Sequence, residues 1–288
     1  MQGAQPFEQL ETFFPDATKS EKKIITYILT HKSDVPFLSV SSLAEACGVG
    51  DATVSRFCRA LGYDGYAAFK VALSKSLSSA PLLSVTPMEE EMQIRMEDTV
   101  EEMAHKLLAN NISAMTETLF LLPADAVRQA VQYLSAARCV YCFGQGASGL
   151  IAQDAWARFS TVSPCFHTIP DSHLQTCVMS LCSAGDVLLY FSYSGATRDG
   201  EDLLRLAREN EVKIILITRH TKSPAARYAD VVLPCGSRET PLQTGSISAK
   251  VAQLFLVDVL VNEFCRRNPQ DTARNRERTA QSVTAKHL

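Results

Sequence analysis

The chain is 288 residues long, 46% apolar and 20% charged, with a net charge of −3 at pH 7. That size has room for two domains or one large one, and the composition is that of an ordinary soluble globular protein. A balance so close to neutral excludes a uniformly basic nucleic-acid binder, so any DNA-facing surface must be local.

Nothing in the opening Met1–Phe7 reads as a signal peptide, so a cytoplasmic location is expected. Thr18-Lys-Ser-Glu21 is a capping box that predicts a helix through about His31, with Ile24, Ile25, Ile28 and Leu29 on one apolar face. The run Val40–Gly62 has the spacing of a helix-turn-helix. Leu43 and Cys47 lie four apart, Ala44 is small where two helices must pack closely, and Gly48 supplies the turn. Val49 plugs the core, Val54 and Phe57 form the inner face of a second helix, Asp51 can cap that helix and Gly62 ends it. Its outward face would then offer Thr53, Ser55, Arg56 and Arg59 to DNA, with Asp51 and Ala52 at its tip. Lys70 and Lys75 follow on a helix from Tyr66 to about Leu77, so residues 52–75 carry a net +3, enough for a dimer and weak for a monomer. The competing reading is a small helical module that binds no nucleic acid.

Residues 76–87, rich in Ser and Pro, read as a linker. The acidic Glu89-Glu-Glu91 begins a helical stretch to about Leu122, with apolar residues at Met96, Val100, Met103, Leu107 and Leu108. That stretch could brace the domains or a dimer, or serve as a solvated connector. From Pro123 onward helix-like and strand-like segments alternate. Helices are expected near 125–135, 150–161, 174–181, 201–210, 225–229 and 248–267, and strands at 138–143, 165–169, 187–191, 213–218 and 231–233. This alternation predicts a parallel sheet with helices on both faces and ligands at the carboxyl ends of its strands. The expected organisation is therefore an all-α DNA-binding domain (1–77), a linker and connector helix (78–122), an α/β domain (123–268) and a polar, frayed tail (269–288).

Nine cysteines, an odd number scattered through apolar segments, suit reduced thiols. Cys139-Val-Tyr-Cys142 has C-x-x-C spacing inside a strand, where side chains three apart face opposite ways, so no metal is expected there. The most apolar run, Leu254–Val261, is too short to span a bilayer and carries Asp258, so no membrane partner is expected.

The segment Val187–Gly200 carries the chemistry. An apolar strand runs into a turn holding Ser192, Ser194, Gly195 and Thr197, and the amphipathic Glu201–Asn210 follows. Three hydroxyls and free backbone N–H groups converge at a helix N-terminus, a setting that favours an anion such as a phosphate monoester. Gly195 lets backbone approach the guest, and Thr197 can cap the helix. A second loop, Phe143-Gly-Gln-Gly-Ala-Ser-Gly149, places Gly146 and Ser148 at another helix start. Taken literally, Gly144-x-Gly146-x-x-Gly149 is a dinucleotide fingerprint with Asp171 where a ribose-binding acid is sought, so a redox repressor sensing a nicotinamide dinucleotide is the competing reading. Asp171 follows Pro170 in a turn, however, and the dinucleotide reading leaves the second loop unused. For catalysis, Glu239 could reach a sugar hydroxyl, and His167, His173 and His220 lie near strand ends, but no acid–base pair is fixed by spacing.

Taken together, Val40–Leu61 with Gly62–Lys70, Gly144-Gln-Gly-Ala-Ser148, Ser192-Tyr-Ser-Gly-Ala-Thr197 and Ser246-Ile-Ser-Ala-Lys-Val-Ala-Gln253 resemble the RpiR-type transcriptional regulators, in which a helix-turn-helix domain precedes a sugar isomerase (SIS) domain. The resemblance spans nearly the whole chain. It implies a regulator of sugar-utilisation genes that binds a double-stranded operator and a sugar phosphate as a homodimer or homotetramer. SIS folds also serve sugar-phosphate isomerases, so an isomerase is a further alternative, but with no acid–base pair fixed by spacing a sensor without turnover or cofactor is expected. It also implies that Ser148, Ser192, Ser194 and Thr197 contact the phosphate or sugar. Gly50 stands where the family more often has Ser, and Ala249-Lys250 replaces a more usual Ser-Arg.

Overall fold

The computed structural model describes residues 6–32, 34–79, 94–237 and 246–284, and the chain forms two compact units that divide near residue 107. In the first, five segments with apolar residues at helical spacing become α1 (Pro6–Phe13), α2 (Lys19–Thr30), α3 (Val40–Cys47), α4 (Asp51–Ala60) and α5 (Gly65–Ser79). The capping box at α2 closes in both directions: Thr18 N–H donates to the Glu21 carboxylate at 2.8 Å, and Glu21 N–H donates to Thr18 Oγ1 at 3.4 Å. Gly48 turns the chain from α3 towards α4 at φ +61°, a left-handed conformation that a residue with a Cβ adopts only under strain. Ile24, Ile25, Ile28, Leu43, Phe57 and Phe69 fill the core between these helices. Helix α1 is not among the elements expected from the sequence, being only eight residues long, yet its Leu10 is fully buried.

The second unit begins within α6 (Val100–Leu121) and continues with α7 (Ala124–Ala136). Strands and helices then alternate: β1 (Val140–Gly144), α8 (Ala147–Ser160), β2 (Phe166–Thr168), α9 (Ser172–Met179), β3 (Val187–Phe191), α10 (Arg198–Glu209), β4 (Lys213–Thr218), β5 (Val231–Pro234), α11 (Ile247–Arg267) and α12 (Pro269–Thr284). The five strands are parallel, in the order β2-β1-β3-β4-β5, with Phe143 opposite Tyr190 and Tyr190 opposite Leu216. A parallel sheet is covered on both faces, which explains why its central strands read as unbroken apolar runs. On one face Cys142, Leu189, Phe191 and Ile217 share a core with Phe159 of α8 and Leu256 of α11. On the other, Phe143, Leu188, Tyr190 and Leu216 pack with Leu203 and Leu204 of α10. Among the described residues no helix is long and apolar enough to cross a membrane.

Three expectations change. The helix sought at 225–229 is a 3₁₀ turn of four residues, Pro224–Arg227. Of the stretch expected to be helical from Glu89 to about Leu122, residues 94–99 form no helix and α6 begins at Val100, where Thr99 and Glu102 form a second capping box (2.8 and 3.2 Å); Glu89–Glu91 lie outside the described residues. The tail expected to fray is α12. It is polar, and it is held by packing on α11 and by two bonds to the segment that follows α8: Asn275 donates to Val162 O at 2.9 Å and Thr279 to Thr161 O at 3.1 Å.

Candidate functional site

The loop after β3 is built by its neighbour β4. Ser192 N–H donates to Ile217 O and Arg219 N–H to Tyr193 O, both at 3.0 Å, and the Thr218 hydroxyl adds a second bond to Tyr193 O at 3.1 Å. Ala225 N–H then donates to Gly195 O at 3.0 Å, so the turn is fixed before any ligand arrives. Gly195 sits at φ +60°, and a Cβ there would overlap the hydroxyl of buried Ser223 and lie 2.6 Å from its Cβ. Within the loop, Ser192 Oγ accepts from Gly195 N–H at 3.1 Å and Ser194 Oγ from Ala196 N–H at 3.3 Å. Two of the backbone donors expected to face a guest are therefore occupied. The two serine hydroxyls keep their own O–H groups, and the first N–H groups of α10 have no acceptor within the helix.

Thr197 holds the N-cap position of α10 without making the side-chain cap bond expected of it. Its Oγ1 lies near Gly200 of α10, where a Cβ would be 2.6 Å from it and 2.5 Å from the hydroxyl of Tyr190, a residue fully buried on β3. The Tyr190 hydroxyl in turn donates to Gln145 Oε1 in the loop after β1. Burial pushes the Tyr190 phenol above its ordinary value, against the opposing effect of Thr197 and Gln145 beside it.

The loop after β1 depends on its glycines. A Cβ on Gly144 would lie 2.8 Å from Phe191 O and 2.9 Å from Ser148 O, and Gly146 occupies φ 55°, ψ −129° as the N-cap of α8. Ser148 follows in the first turn of α8, half-buried. Asp171, the acid that a dinucleotide reading requires, caps α9 by accepting from Leu174 N–H at 2.8 Å. His167 and His173 are exposed, and His220 stands edge-on to Tyr193 with ring centres 6.1 Å apart. Glu239 lies outside the described residues.

No sequence pattern points to the cation at the end of β4. Arg219 Nη2 pairs with Glu117 of α6 at 2.9 Å, and Glu117 also accepts from Ser237 N–H at 3.0 Å. Nothing along the chain joins residues so far apart. Tyr190, by contrast, carries a signal, since a tyrosine inside a wholly buried strand needs partners for its hydroxyl.

In the N-terminal unit, α4 turns Val54, Phe57 and Cys58 inward and leaves Arg56 and Arg59 exposed, with Thr53 and Ser55 half-exposed beside them. None of these four outer side chains forms an ion pair among the described residues. The N-cap is Gly50, which has no side chain to offer, so Asp51 is not the cap; it accepts from the Ser41 hydroxyl of α3 instead. Lys70 departs from the expected DNA face. Its ammonium donates to Leu38 O at 3.0 Å and lies 5.5 Å from the Tyr66 ring, and burial lowers its pKa. It satisfies a carbonyl at the end of the 3₁₀ turn Val35–Phe37.

Residues 5–80 match the model of the helix-turn-helix domain of the rpiR family, and residues 133–263 match that of the SIS domain. An uncharacterized HTH-type transcriptional regulator of Clostridium perfringens is 32% identical over 96% of this chain and 98% of its own length. The HTH-type transcriptional regulator HexR of Pseudomonas aeruginosa is 29% identical over 96% of this chain and 94% of its own. Among solved structures, NanR of Vibrio vulnificus complexed with ManNAc-6P superposes with a TM-score of 0.81 at 25% identity, covering 98% of this chain and 99% of that one.

Proposed function

The chain belongs to the rpiR family of helix-turn-helix transcriptional regulators, and on that footing we propose that its α/β unit senses a sugar phosphate and thereby controls DNA binding at sugar-utilisation genes. One observation carries the reading. Ser192, Ser194 and Thr197 converge at the N-terminus of α10 beside the Gly146–Ser148 turn, with the intervening backbone pinned by β4. Hydroxyl and amide donors at a helix start suit a phosphate monoester. The ManNAc-6P bound by the Vibrio relative supports the same class of ligand. In the N-terminal unit, Arg56 and Arg59 supply phosphate or guanine contacts, with Thr53 and Ser55 beside them.

The protein works as a homo-oligomer without turnover. Effector and operator are linked, so whatever factor the sugar phosphate imposes on DNA affinity, DNA imposes on sugar-phosphate affinity. The first test is thermal stability against hexose and hexosamine phosphates, the corresponding free sugars and NADH. A ligand that binds only the folded form stabilises it by about 2.7 kcal/mol at a hundredfold excess over Kd and so raises the midpoint by mass action. A rise with a phosphorylated sugar, lost in S194A/T197A, is the expected outcome. A rise with NADH alone would overturn the reading.

A further inference from the structure

We propose that Tyr193 is a positioning residue that couples the loop at 192–197 to α6: it belongs to a closed circuit of contacts with Arg219, Glu117 and Ser237, which ligand binding opens at the Arg219–Glu117 ion pair. The inference rests on the phosphosugar reading for the ligand that opens the circuit, whereas the circuit itself is a property of the folded chain.

Every link is a direct contact. Arg219 N–H donates to Tyr193 O at 3.0 Å, and Arg219 Nη2 lies 2.9 Å from Glu117 Oε1. Glu117 Oε2 accepts from Ser237 N–H at 3.0 Å. The circuit closes where the Tyr193 hydroxyl donates to Ser237 O at 2.9 Å. It thereby joins the loop after β3, the end of β4, the segment after β5 and the last turns of α6.

The links are unequal. Helix α6 sits tightly on the segment after β5: a Cβ on Gly236 would lie 2.5 Å from Ala114 O and 2.8 Å from Glu117 Cβ, and Gly236 N–H donates to Thr118 Oγ1 at 2.8 Å. Ser237 is buried and holds φ +88°, a conformation that a residue with a Cβ keeps only where its surroundings impose it. The ion pair, by contrast, is open to water, with side chains 24% and 34% exposed, and attraction there is weakened by solvent and salt. A displacement of Tyr193 therefore breaks the circuit at Arg219–Glu117 first.

Tyr193 stands between the two serines of the candidate cradle. Their hydroxyl oxygens accept from Gly195 N–H and Ala196 N–H, so turning Ser192 and Ser194 towards an anion resets the backbone on either side of Tyr193. Helix α6, within which the two units divide, then loses one tie to the sheet and keeps the Thr118 bond. That is a route by which an occupied site changes the helix leading back to the DNA-binding unit.

Two full-length variants decide this, followed by hydrogen exchange with and without inorganic phosphate at matched ionic strength. Tyr193→Phe keeps the aromatic ring that stands edge-on to His220 and deletes the hydroxyl. Glu117→Gln keeps an acceptor for Ser237 N–H and removes the charge facing Arg219. Without phosphate, each variant should exchange about fivefold faster in the segment it does not touch, as loss of one hydrogen bond implies. That segment is 114–121 for Tyr193→Phe and 192–197 for Glu117→Gln, with β1 unchanged in both. With phosphate, the wild type should slow at 192–197 and speed up at 114–121. Both variants should still slow at 192–197, with unchanged phosphate affinity, and show no further response at 114–121. Exchange that rises only in the substituted segment, or rises equally in β1, would overturn the circuit. A wild-type α6 that ignores phosphate while 192–197 responds, or a response at 114–121 that persists in both variants, would overturn the coupling. A wild-type chain in which phosphate leaves 192–197 unchanged would overturn the phosphosugar reading, and the phosphate-free comparison would still decide the circuit.

Discussion

Replacing Gly195 with alanine tests the packing behind the candidate cradle. Two costs can be worked out from the structure. At φ +60° an L residue loses roughly 1–2 kcal/mol relative to glycine. The new Cβ also overlaps the Ser223 hydroxyl and lies 2.6 Å from its Cβ; Ser223 is 2% exposed and cannot swing into solvent. Overpacking of that kind costs about 1–3 kcal/mol, for a total of about 2–5 kcal/mol. The two costs separate because Ser223→Gly removes the second and not the first. The Ser223 hydroxyl has no hydrogen-bond partner among the described residues, so deleting it breaks no bond. The single tryptophan, Trp156, lies on α8, so its fluorescence reports unfolding of the α/β unit alone. Gly195→Ala should lower that thermal midpoint by roughly 5–15 °C, at about 2–4 °C per kcal/mol for a unit of this size. Adding Ser223→Gly should restore about half. A loss below about 2 °C, or no recovery in the double variant, would refute the steric argument.

Further outcomes follow from individual contacts. Arg56→Ala should weaken binding to an operator fragment selected from random DNA about tenfold and reduce the salt slope by about one, with the thermal midpoint unchanged; a midpoint that falls with it would make Arg56 structural. Lys70→Met should do the opposite, lowering the stability of the helical unit by about 1 kcal/mol through loss of the Leu38 bond while leaving the salt slope as it was. Asp186 is 1% exposed; burial acts to raise its pKa, but the paired Arg138 guanidinium and the Ser183 N–H outweigh it and hold the carboxyl below 3.8. Because the folded value is the depressed one, this contribution is present above the unfolded value and lost as pH falls through the folded one. Asp186→Asn should therefore lower the midpoint at neutral pH and flatten its decline in acid, which a pH series of melts would read. Asn275→Ala with Thr279→Val should speed amide exchange throughout α12 and leave α11 protected, since those two bonds dock α12 on the end of α8.

Local rules suffice wherever one segment contains its own cause. The capping box at Thr18–Glu21, the Gly48 turn and the bounds of β3 and β4 follow from neighbours in the chain: a hydroxyl and a carboxylate three residues apart, a φ only glycine tolerates, an apolar run ended by serines and glycine. The order and separation of the motifs likewise make the family legible from the amino acids alone. Local rules fail where the cause lies elsewhere in the chain. Asp51 could cap a helix as well as Gly50 does, until Ser41 of the preceding helix claims its carboxylate. Lys70 reads as a DNA contact until the fold brings Leu38 O within reach. Helix α12 is too polar to announce itself, and α11 together with the segment after α8 gives it a place. Thr197 reads as a helix cap in sequence, and in the fold it holds the N-cap position of α10 without a side-chain cap bond. A hydrogen bond goes to whichever acceptor geometry brings nearest. The sequence by itself determined which groups the chain could offer an anion or a DNA groove, and tertiary structure alone decided which of them were already taken.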